Sequence, residues 1–107
     1  LNDPGQLKAA IQITERALEM KPRDPIAAIN LGRYLIRAQR FGDAKTHLTR
    51  MSEDSPSADT LGLLGVIAAN EGDLNMAERY FRKAIQLDPG QAEARAGLTQ
   101  LQRMRAQ

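Results

Sequence analysis

Apolar residues recur at spacings of three and four along most of the chain, and the recurrence is clearest from Leu61 to Pro89. Leu61, Leu64, Gly65 and Ala68 fall on one side of a helix, the stripe of an element packed on one face. Glu71-Gly72-Asp73 reads as a turn, with Asp73 placed to cap a second helix through its carboxylate. Leu74, Ala77, Phe81, Ala84, Ile85 and Leu87 mark the buried side of that helix, and Pro89 stops it. Helix, short turn, helix and proline make one hairpin of an array, because a lone hairpin cannot bury both of its faces.

Self-similarity at a fixed period tests the array. A shift of 33 residues carries Leu64-Gly65 onto Leu31-Gly32, Ala68 onto Leu35, Leu74 onto Phe41, Ala77 onto Ala44, Phe81 onto Leu48 and Pro89 onto Pro56. Gly65 and Ala77, like Gly32 and Ala44, are small where paired helices must cross closely, and larger residues fill the space on either side.

The rest of the chain continues the pattern. Asp3-Pro4, with Gln6 three residues after the aspartate, is a capping-box-like helix start and predicts a helix from Pro4 to Met20. Its main stripe is Leu7, Ala10, Ile11, Thr14, Ala17 and Leu18. Ala9, Ile13 and Met20 form a second row, which either awaits a preceding partner helix or consists of scattered surface apolar residues. Asp24-Pro25 opens a helix expected to reach about Gln39, and Phe41 anchors the turn after it. A further helix is expected from about Asp43 to Ser52, Ser57 caps the next, and a last helix runs from about Gln91 to Arg105 with a mostly polar outer face.

Leu61, Leu64-Gly65, Ala68, Gly72-Asp73, Ala77, Phe81, Ala84 and Pro89 together resemble the tetratricopeptide repeat (TPR) family, whose unit spans 34 residues. The earlier copy departs from the family pattern at Ala28, at Gln39-Arg40 in place of Gly-Asp and at Met51, which leaves the turn from Ala38 to Asp43 open. The resemblance implies an all-α fold, with about six helices in antiparallel hairpins stacked as a right-handed superhelix. It divides the chain into the second helix of a truncated repeat (1–24), two repeats (25–57 and 58–90) and a capping helix or first helix of another repeat (91–107). A fragment of a longer bacterial TPR protein is the expectation.

Composition narrows the function classes. With 107 residues, 42% hydrophobic and 4% aromatic, the chain is too short for two independent globular cores but ample for a few hairpins. Fifteen basic against thirteen acidic residues lack the excess of a nucleic-acid or anionic-membrane binder. No cysteine is present, which excludes disulfides, thiolate catalysis and cysteine-based zinc sites. No run approaches the roughly 18 to 20 apolar residues that span a bilayer. No convergent nucleophile, base or metal set appears: the single histidine, His47, reads as a surface or satisfied residue, and Glu71, Asp73 and Glu78 read as turn and first-turn charges. Neither a catalytic site nor a cofactor or metal is expected.

Function then falls to the surface. In the family the first helix of each repeat lines a concave groove that receives a peptide or a partner's helix. Carried over position by position, this places Ile26, Ile29, Arg33, Ile36 and Arg37 along the groove, then Asp59, Gly62, Val66, Ala69 and Asn70, then Arg95, Thr99, Gln102 and Arg103. Ile29, Ile36 and Val66 would form an apolar centre and the arginines a basic rim that meets carboxylates. The competing reading makes the isoleucines packing residues and the arginines a solvated face. The chain lacks the lysine, asparagine and arginine set that clamps chaperone tails, so a chaperone co-factor is disfavoured. A scaffold or adaptor module for a protein or peptide partner is the expectation, with no nucleic acid and no membrane insertion. The alternatives are a regulatory or substrate-recruiting segment of a larger enzyme such as a glycosyltransferase, and self-assembly through Ala9, Ile13 and Met20.

Overall fold

Capping side chains and prolines set where the helices begin. In the computed structural model, which describes residues 3–106, six α-helices follow one another. They are α1 (Pro4–Met20), α2 (Pro25–Arg37), α3 (Phe41–Asp54), α4 (Ala58–Asn70), α5 (Leu74–Leu87) and α6 (Ala92–Arg105), with no strand among the described residues. Asp24 accepts from the backbone N–H of Ile26 at 3.0 Å and of Ala27 at 3.4 Å. Ser57 Oγ accepts from Thr60 N at 3.1 Å, and Asp73 from Met76 N at 3.1 Å. Each bond satisfies a donor that the first turn of a helix leaves orphaned. Asp3 likewise caps α1 by accepting from Gly5 N at 2.8 Å, but among the described residues Gln6 completes no capping box.

The turns after α2 and α4 are built alike. Gly72 has φ 84°, its N–H bonds Ala69 O, and the N–H of Asp73 bonds Ala68 O. Gln39 has φ 61°, its N–H bonds Ile36 O, and the N–H of Arg40 bonds Leu35 O. Both are Schellman closures, with the left-handed residue one place past the cap. The turn left open by the sequence thus keeps the repeat's geometry without its glycine. Closing this early ends α2 at Arg37 rather than Gln39. It also lets α3 begin at Phe41 rather than Asp43, where Arg40 pairs with Asp43 at 2.9 Å and Arg40 O accepts from Ala44 N. At its other end α3 runs on to Asp54 instead of stopping at Ser52. The last helix starts at Ala92 because Gln91 serves as its cap.

The chain falls into two compact units, the first ending at Leu48 and the second beginning at Thr49. In the first, α1 packs on α2, and Ala28, Leu31, Gly32 and Leu35 are the buried row of α2. Leu48 of α3 lies over Gly32: a Cβ there would come within 2.7 Å of Leu48 Cδ2. Of the α1 stripe only Ile11 is fully buried, and Ala17, expected inside, is exposed. Ile13 and Met20, in the second row, are 67% and 85% exposed.

In the second unit α4 packs on α5 and on α6, and α5 packs on α6. Its core joins Leu61, Ala68, Ala77, Phe81, Ala84, Ala94 and Leu101. Phe81 is wedged between two glycines of different helices. A Cβ on Gly65 of α4 would lie 2.4 Å from Cε1 of its ring, and one on Gly97 of α6 would lie 2.4 Å from Cε2. The sequence predicts a single stripe on α4, but the helix is buried from Thr60 to Gly65 and at Ile67 and Ala68. An apolar helix without a polar face belongs inside, which one-sided stripe counting overlooks. Buried Thr60 is satisfied by a 2.8 Å hydroxyl contact with Ser57. Leu87, expected on the buried side of α5, is 58% exposed because it ends the helix beyond the reach of the core residues Ala77, Phe81 and Ala84.

Candidate binding surface

In the first unit α2 has two opposed rows. Opposite Ala28, Leu31 and Leu35 run Ile29, Arg33, Ile36 and Arg37, at helical spacings that share one face, with Ile26 a turn earlier. Ile26 is 72% exposed, Ile29, Arg33 and Ile36 are half-buried, and Arg37 is exposed in the last turn, where a cation suits the helix dipole. His47 is half-buried, with Nε2 2.7 Å from Ala28 O, so in the tautomer protonated at Nε2 it donates to that carbonyl and ties α3 to α2. It is a satisfied histidine, as its place among neutral side chains suggests.

The second unit separates its candidates. Val66 and Ala69 are half-buried and pack against the core cluster, which draws Val66 away from the role of a free apolar centre. Gly62 is buried against the Gln91 side chain; a Cβ there would meet Gln91 Oε1 at 2.3 Å. Asp59 is half-buried and accepts from Gln91 Nε2 at 3.0 Å. Asn70 is exposed at the end of α4.

Arg95, Thr99 and Arg103 do come together. They are exposed on one face of α6 and, with Ala96 and Gln100, line an open depression of about 530 Å³. Gln102, also expected there, is not part of the lining. The third arginine of α6 is engaged elsewhere: Arg105 bonds Glu78 at 2.5 Å and Asn75 at 3.2 Å on α5.

Sequence reading missed Gln91. Its amide is buried, caps α6 by accepting from Ala94 N at 2.8 Å, and donates to Asp59 and to Glu93, the latter at 2.6 Å. Glutamine is an uncommon cap and its partner on α4 is 32 residues away, so only the absence of Ser, Thr, Asp or Asn before Ala92 hinted at it. Among the described residues no group of His, Cys, Asp and Glu is placed to hold a metal ion, and no helix is long and apolar enough to cross a membrane.

Repeated helical hairpins, closed by left-handed residues and packed through glycines at the crossings, define an α-helical repeat protein. Two family models described as tetratricopeptide repeat match the chain, one over residues 1–66 and one over 58–91. The chain belongs to the tetratricopeptide repeat family. The tetratricopeptide repeat protein 8 of Caenorhabditis elegans is 31% identical to it over 97 residues, a match covering 88% of this chain. The chain spans only 19% of that relative's length. Repeats of this family generally mediate protein–protein interaction and are typically non-catalytic.

Proposed function

We propose that the chain is a non-catalytic interaction module that receives a peptide or protein segment on the first helices of its repeats. On this reading 25–57 and 58–90 are repeats, 1–24 ends an earlier one, and 91–107 caps the array or opens another. The observation that carries the proposal is that α2 and α6 each keep a row of accessible side chains opposite their packed row. Ile26 and Arg37 stand on α2, and Arg95, Thr99 and Arg103 on α6. Exposed isoleucine beside arginine suits a partner with both apolar and acidic side chains.

Selection of a random peptide library on the immobilised chain tests this. Peptides enriched on the native chain are expected to bind at least tenfold more weakly to Ile26→Asp/Arg37→Glu or to Arg95→Glu/Arg103→Glu. These positions are exposed, so both variants should keep native circular dichroism. Full retention by both folded variants would move binding off these helices and sink the proposal.

A further inference from the structure

We infer that the α6 face takes an extended acidic segment in which two carboxylates, four residues apart, flank a hydrogen-bond donor. This deepens the interaction-module reading and rests on it. Two observations carry the inference. First, Arg95 and Arg103 have no carboxylate partner among the described residues, although Arg105 of the same helix is held by Glu78. Glu93, the one acidic residue of α6, faces away from them and bonds Gln91.

Second, the spacing matches a strand. Arg95, Thr99 and Arg103 succeed one another every four residues, which on a helix is a rise of about 6 Å per step. Alternate residues of an extended chain share one side and advance by about 6.6 Å, so positions i, i+2 and i+4 of a bound segment come level with the three side chains. Arginine meets carboxylate at both ends through paired charge-assisted bonds. At the centre the Thr99 hydroxyl already donates to Arg95 O at 3.0 Å, which leaves it an acceptor and calls for a donor such as serine or asparagine at i+2.

Ala96 contributes a small side chain to the lining of the depression and lets a backbone approach.

Fluorescence anisotropy of the whole chain with a labelled twelve-residue peptide centred on Glu-Ala-Ser-Ala-Glu tests the inference. The expected result is saturable binding that weakens at least tenfold in Arg95→Gln and in Arg103→Gln, and to a similar extent when the two glutamates are made adjacent. Binding that ignores both the spacing and the α6 variants, yet falls in Ile26→Asp/Arg37→Glu, overturns the inference while leaving the interaction module standing. No binding of any acidic peptide also overturns it. Tighter binding of a single-stranded oligonucleotide than of the peptide at equal salt overturns it as well, by assigning the arginines to phosphates.

Discussion

Gln39 occupies, at φ 61°, the place that Gly72 fills at φ 84° in the next repeat. A left-handed conformation costs an L-residue about 1–2 kcal/mol, and glycine escapes that cost while losing more backbone freedom on folding. Gln39→Gly is therefore expected to raise stability by about 0.5–1 kcal/mol in urea denaturation, and Gly72→Ala to lower it by about 1 kcal/mol. A crowded contact gives a second prediction at this scale. Gly97→Ala puts a methyl into the Phe81 ring and should cost about 1–3 kcal/mol. Adding Phe81→Leu should make the pair lose less than the sum of the single changes, a coupling that a double-mutant cycle reads directly.

Among the elements, the bounds of α1 were legible in the sequence, because Asp3-Pro4 starts it and the run of apolar spacings ends at Met20, whereas its buried row was not. The caps of α2, α4 and α5 were legible for the same reason: Asp24, Ser57 and Asp73 act within three residues of themselves. What escaped depends on distance along the chain. The early start of α3 depends on how the preceding turn closes, and the burial of α4 on how many neighbours surround it. Of the residues expected along the groove, Arg95, Thr99 and Arg103 share an exposed face, whereas Val66 packs on the core, because a position on a helix does not by itself leave a side chain free. Gln91 yields a prediction for this level. Gln91→Ala removes the cap of α6 and the donor shared by Asp59 and Glu93, and should cost about 1–2 kcal/mol. Gln91→Asn, whose shorter amide cannot span to α4, should recover the cap and not the tie.

For the molecule as a whole, burial is uneven. Helix α1 hides one residue, Ile11, over 17 positions, whereas α4 hides eight over 13. Local opening free energy follows the apolar surface that must be exposed, so amides of α1 should exchange with solvent deuterium much faster than those of α4 and α5. Equal protection of α1 and α5 by mass spectrometry would contradict this. The Phe81 ring of the second unit offers a finer gauge of the same breathing. Gly65 meets one edge of the ring and Gly97 the other, and in so closely packed a core a half-turn about the Cβ–Cγ bond needs the surrounding helices to loosen. In aromatic NMR spectra the two sides of Phe81 should give separate resonances at low temperature, and the rate at which they merge on warming would time the parting of α4 from α6.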